Sequence, residues 1–151
     1  MVWFVAPYGI RVAEVEPPVL KMKTLYERLG GHDGLEQVLH AFYADVRQHA
    51  VLGPIFNAHI RDWPAHIAKI AEFWARQTGG PSIYPGGFGV AHLQLDISEE
   101  HLRLWLGLWD FNCQRNLPAR EAAEMSGLAL RIGEQLLRIL AGRSSLQIGN
   151  Q

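Results

Sequence analysis

From Leu35 onward the apolar positions fall at Leu35, Val38, Leu39, Phe42, Tyr43 and Val46, a spacing of three and four residues that draws one face of an α-helix from about Asp33 to His49. Pro54 stops any continuation, and Leu52, Ile55 and Phe56 read as a short apolar turn. Asp62 can cap the next helix, with Pro64 tolerated in its first turn, and His66, Lys69, Ile70, Phe73, Trp74 and Gln77 repeat the spacing from about Trp63 to Gln77. The stretch from Thr78 to Gly89 holds five Gly and two Pro, too many for a regular element, and predicts an irregular loop. A short turn with His92, Leu93 and Leu95 follows it. Asp96 and Ser98 are caps for a third long helix, whose buried face carries Leu102, Trp105, Leu106 and Trp109 and which ends near Arg115. The last helix runs from about Pro118 to Leu140 through Met125, Leu128, Ala129, Ile132, Leu136 and Ile139, with Gly142 as its stop. No segment alternates with period two between hairpin turns, so the fold class is all-α, with four principal helices and one long glycine-rich connection.

Composition narrows the partners. The 151 residues suit one domain with a sizeable core, and 14 Lys+Arg against 15 Asp+Glu leave no basic footprint for nucleic acid or an anionic membrane. A monomer is expected. The lone Cys113 excludes an internal disulfide and four-thiolate metal sites, and reads as a small buried hydrophobe. Residues 1–21 carry Pro7, Pro17 and Pro18 without helical period. Their apolar run from Val2 to Ala6 is too short for a signal peptide, and no run reaches the roughly 18 residues that span a bilayer, so a cytoplasmic location is expected. The organisation read from the chain is therefore a poorly structured extension over 1–21, a domain over 22–142 and a tail over 143–151.

Seven His and five Trp are the unusual counts. Tyr43, His66 and Trp105 sit within apolar faces of separate helices, and His92 follows the glycine-rich loop. A polar tip buried without a partner costs about 1–3 kcal/mol, so each needs either an ordinary core hydrogen bond or a ligand. The spacing offers no His pair one helical turn apart, no Glu-x-x-His and no nucleophile-elbow motif, which disfavours zinc, di-iron and serine chemistry. An iron already held by a macrocycle needs only one protein ligand and a large apolar pocket. His32, His40, His49, His59 and His101, at helix ends or on polar faces, read as solvated or capping.

Five strings in order, FYADV at Phe42–Val46, LGPIF at Leu52–Phe56, HIAKIAEFW at His66–Trp74, AHLQL at Ala91–Leu95 and HLRLWLGLW at His101–Trp109, resemble the truncated haemoglobins, most closely their third group. The resemblance spans about Thr24 to Leu140, while TLYERLGG at Thr24–Gly31 is more familiar from the other truncated groups. It implies a two-over-two helical sandwich around haem b. By the same resemblance His92 is the proximal iron ligand, and Tyr43, His66 and Trp105 form the distal, catalytic side. Lys69 and, from the loop, Tyr84 would meet haem propionates. Phe56, Phe73, Trp74 and Leu106 would line the apolar pocket.

Tyr43 and Trp105 are then donors for a ligand that gains negative charge, which favours tight binding of dioxygen and other diatomic ligands. His66 would bond the ligand or swing as a gate. The second nitrogen of His92 is expected to meet a backbone carbonyl rather than Asp96, four residues on. Nitric-oxide dioxygenase-like or peroxidase-like activity would need a reductase, for which the sequence holds no flavin or nicotinamide motif. The alternatives are an oxygen carrier, a haem-based sensor or non-catalytic haem module, and a cofactor-free helical interaction protein.

Overall fold

The computed structural model describes Pro18, residues 21–93 and residues 95–148. Among the described residues there are seven helices and no strand: α1 Leu25–Arg28, α2 Gly31–Gln48, α3 Leu52–His59, α4 Trp63–Thr78, α5 Phe88–Leu93, α6 Glu99–Asn116 and α7 Ala119–Ile148. The α2–α4 pair packs against the α6–α7 pair, with α5 lying on α7. The extension expected over 1–21, with Trp3, falls outside the described residues apart from Pro18 and Lys21, as do residues 149–151 of the tail.

Local chemistry explains where the helices begin. Thr24 Oγ1 accepts the Glu27 N–H at 3.2 Å while the Glu27 carboxylate accepts the Thr24 N–H at 3.0 Å, a capping box that starts α1. Leu52, Ile55 and Phe56 belong to a two-turn helix rather than a bare turn. Pro54 is its third residue, where a missing N–H costs nothing, and His49 Nδ1 accepts the N–H groups of Val51 and Leu52 at 3.1 Å each. Asp62 caps α4 through the Ala65 N–H at 3.0 Å, and Gly79, at φ +87°, ends it. Ser98 and His101 cap α6 reciprocally. The stop expected at Gly142 does not occur, and α7 runs on to Ile148. A lone glycine costs a helix about 1 kcal/mol, which does not force a break when no proline follows.

The core is organised by aromatic rings. Trp74 of α4 and Trp109 of α6 lie parallel with centroids 4.6 Å apart, and Trp105 continues the stack 5.7 Å from Trp109. Phe42 of α2, fully buried, meets Trp105 and Trp109 edge-on at 5.3 and 4.9 Å. Trp109 donates its Nε1–H to the Met125 carbonyl at 3.3 Å, so its polar tip is satisfied by α7. Cys113 is buried beside this column, as the sequence suggests, and burial pushes its thiol up to about 12.

The start of α2 is fixed by a close approach. A Cβ on Gly34 would overlap the Leu29 carbonyl oxygen, so no larger residue fits without moving the turn between α1 and α2. Gly34→Ala brings a helix-propensity gain of about 1 kcal/mol, opposed by an overpacking cost of about 1–3 kcal/mol. The clash should win. Urea unfolding is expected to show a net loss of stability, and a stabilised variant would refute the close approach.

Candidate functional site

A cavity of about 360 Å³ opens between α4 and the segment that runs from Tyr84 through α5. Tyr43 of α2, His66, Lys69, Ile70 and Phe73 of α4 and Trp105 of α6 line it, and His92 of α5 lines it as well. Phe56, Tyr84 and Trp74 complete the set that the sequence nominates there. Three helix faces converge because α2, α4 and α6 each bury the stripe that carries one of these residues.

Leu106 is a correction. It lies one position, about 100° of helical rotation, beyond Trp105 and packs against Gly133 of α7, which lines the cavity, without lining it itself. Leu102, one turn earlier, takes the lining position. Sequence reasoning also passed over Phe88 and the cavity-lining His59 and His101. The i, i+3, i+4 rule would have found Leu102 from Trp105, whereas Phe88 lay hidden in a loop with no period.

The polar tips divide sharply. Tyr43 is buried against His66, Trp63 and Phe56, with ring centroids 5.7, 5.5 and 6.1 Å away. No hydrogen bond joins its hydroxyl, or Trp105 Nε1, to another described residue, and neither atom is sealed in the core, so both tips border the cavity, whereas the next indole in the stack, Trp109, has its carbonyl. Burial pushes the Tyr43 phenol far up, so it stays a neutral donor. His66 is held below the ordinary histidine value, first by burial and then by the electrostatic influence of its neighbours, Lys69 foremost. It is therefore neutral near pH 7.

Across the cavity, His92 Nδ1 donates to the Phe88 carbonyl at 2.6 Å. That bond selects one tautomer and leaves Nε2 as the lone-pair nitrogen. Asp96 is exposed and is not its partner. An imidazole oriented by a carbonyl on one nitrogen and basic at the other is the second-sphere pattern of a metal-binding histidine. Among the described residues no group of three or more His, Cys, Asp or Glu side chains could hold a bare metal ion. His59, at the end of α3, is held in the same way by the Ile55 carbonyl at 2.8 Å, and an apolar slot with His92 so oriented and Tyr43 and Trp105 also on its lining fits a haem.

The loop that brings Tyr84 to the cavity is tied down. Glu72 accepts the Ile83 N–H at 2.9 Å, its carbonyl accepts from Ser82 Oγ at 2.6 Å, and Ser82 Oγ accepts the Tyr84 N–H at 3.1 Å. The Glu72 carboxylate is held below its ordinary range, first by the Ile83 N–H and then by His32. His32, expected to be solvated or capping, is a link in this system: its Nε2 lies 2.7 Å from Glu72 and its Nδ1 is hydrogen-bonded to the Tyr26 hydroxyl. The contact is tertiary, between residues 40 apart, and no local pattern signals it. His49 and His101 do cap helices.

An all-α two-over-two core enclosing an apolar slot, with a carbonyl-oriented histidine on the short helix α5, is the architecture of a globin. The match to the bacterial-like globin family model, over residues 24–117, shows that the chain belongs to that family. A group 3 truncated hemoglobin from Campylobacter jejuni is 35% identical over 83 residues, 52% of this chain and 65% of the relative, so the chain spans just under two thirds of that protein's length. A group 1 truncated hemoglobin from Mycolicibacterium paratuberculosis is 28% identical over 80% of this chain and 88% of its own. The crystal structure of a group III truncated hemoglobin from Campylobacter jejuni superposes with a TM-score of 0.69 at 29% identity, covering 73% of this chain and 91% of that one. The resemblance to truncated haemoglobins and the fold class read from the sequence both hold. Family membership implies a haem cofactor and a gaseous ligand.

The charge on Lys69 gives the site a measurable signature. Lys69→Gln removes one of the causes that depress His66, so its pKa should rise toward, but stay below, the ordinary value of about 6.5 because burial remains. Histidine-selective NMR titration checks this. An unchanged pKa would show that Lys69 does not act on His66.

Proposed function

We propose that this globin binds haem b through His92 and holds dioxygen or another diatomic ligand against Tyr43 and Trp105. The observation that carries the reading is that Tyr43 and Trp105, two hydrogen-bond donors from different helices, line the same cavity as His92. Haem supplies the iron at which the gas binds. The chain's own residues do the rest. The Phe88 carbonyl holds the His92 ring and keeps Nε2 available, and Lys69, at the exposed rim, and Tyr84, from the loop, are placed for the propionate carboxylates. Phe56, Phe73 and Trp74 keep water from the slot. The only cysteine is buried in the core away from the cavity, which supports non-covalent haem b.

A diatomic ligand that gains negative charge strengthens each hydrogen bond it accepts, by about 1.5–3 kcal/mol, and about 1.4 kcal/mol corresponds to a factor of ten. Two donors on different helices therefore favour slow release. His66, neutral and edge-on to both Tyr43 and Trp63, can donate as a third partner or turn aside to admit the ligand. Slow release suits oxygen chemistry, of the nitric-oxide dioxygenase or peroxidase kind with electrons from a separate reductase, better than oxygen delivery.

Haem-loaded protein should show a Soret band that His92→Ala removes or shifts strongly. In stopped flow, Tyr43→Phe with Trp105→Phe is expected to speed oxygen dissociation at least a hundredfold, with either single change giving about tenfold. Dissociation at the original rate in the double variant would overturn the distal assignment.

A further inference from the structure

A second cavity, of about 500 Å³, lies on the far side of the Tyr84–Phe88 segment, between the end of α4 and α7. That volume lies within the range of about 300–1,000 Å³ typical of small-molecule sites. Its aromatic wall is Phe73 stacked on Phe88, with centroids 5.1 Å apart and planes 18° from parallel, and Tyr84 edge-on to Phe73 at 5.4 Å. Ile132 and Ile139 of α7 face it, and Arg76, Gln77 and Gln135 supply the polar atoms. Among the described residues no carboxylate lines the cavity. Gly86 and Gly87 edge it at φ +89° and +87°, and a Cβ at either would meet nothing within 4 Å, so the loop contributes space there.

Arg76 is exposed and makes no ion pair among the described residues. Its guanidinium carbon sits 5.8 Å over the Tyr84 ring. An arginine lying over a ring keeps in-plane N–H groups for a carboxylate, which its planar fork accepts in bidentate fashion. The cation, the three aromatic side chains and the missing counter-charge ask for one kind of molecule.

We propose that this second cavity binds a planar aromatic monocarboxylate of one or two rings, with its carboxylate on Arg76 and its ring against Phe73 and Phe88, and that its occupancy is felt at His92. The two cavities adjoin, because Phe73, Tyr84, Gly86, Gly87, Phe88 and Ile132 line both. Phe88 is the coupling residue: its ring centroid is 4.5 Å from the His92 ring and its carbonyl holds His92 Nδ1. A ligand that presses on the Phe88 ring alters that bond. The coupling rests on His92 as the iron ligand, whereas the binding site itself does not.

The test is calorimetric titration of the haem-loaded full chain with 2-naphthoate, and with the uncharged 2-naphthamide as control. Saturable one-to-one binding is expected, weakened about tenfold or more by Arg76→Gln, only partly kept by Arg76→Lys, whose ammonium lacks the planar fork, and abolished by Gln135→Trp, which fills the cavity from an exposed helix position. The amide should bind weakly and equally to the parent and to Arg76→Gln. In resonance Raman of the ferrous protein, saturating naphthoate should shift the iron–histidine stretching band, and Gln135→Trp should remove the ligand's effect. No saturable binding, or binding indifferent to both Arg76→Gln and Gln135→Trp, overturns the site. An Arg76→Gln protein that loses haem faster while the parent ignores naphthoate assigns Arg76 to the haem's own carboxylate and also overturns it. Binding with an unmoved stretching band overturns the coupling.

Discussion

The parallel contact between Trp74 and Trp109 sets the register of α4 against α6, and the cavity depends on it. His66 and Lys69 precede Trp74 on α4, and Trp105 precedes Trp109 by one turn on α6, so sliding either indole carries the matching wall of the cavity with it. Phe42 locks the arrangement by presenting its edge to two of the three indoles, and the next residue along α2 is Tyr43. Core and cavity wall are thus adjacent residues of one helix. Packing energy of the ordinary hydrophobic kind is what aims the polar donors.

The opposite wall is held by polar bonds instead. The loop from Gly79 to Gly87 has no regular backbone hydrogen bonding, and its fixed points are the Ser82 and Ile83 contacts to Glu72, with His32 and Tyr26 behind them. Because the folded Glu72 carboxylate is more acidic than in an unfolded chain, its contribution is present above the ordinary carboxylate range and fades as pH falls through the depressed value. The two sides of the cavity therefore respond differently to acid. The ring contacts of the aromatic side involve no carboxylate, whereas the loop is fastened through one.

Much of this was legible from periodicity, and the failures have physical causes. The faces of α2, α4, α6 and α7 follow the 3.6-residue repeat, so Tyr43, His66 and Trp105 could be assigned to inward positions without coordinates. The helix α1 has only four residues, too few to show a period, and its signal was the Thr24–Glu27 capping pair. Reading Pro54 as a breaker shortened α3, because the first turn of a helix has no use for the N–H that proline lacks. Leu106 was misplaced by a single residue, since on a helix neighbours point about 100° apart. His32 and Phe88 act through tertiary contacts that no local pattern encodes.

The stack of three indoles has an optical side. Parallel rings at 4.6 and 5.7 Å are close enough for their electronic transitions to couple, so Trp74, Trp109 and Trp105 absorb and emit as a group rather than as three separate dyes. Both ends of that group, Trp74 and Trp105, border the cavity, and Trp109 between them is buried. Near-ultraviolet circular dichroism thus carries a native readout of how α4 is seated on α6, and emission from the same rings reports what occupies the space beside Trp105.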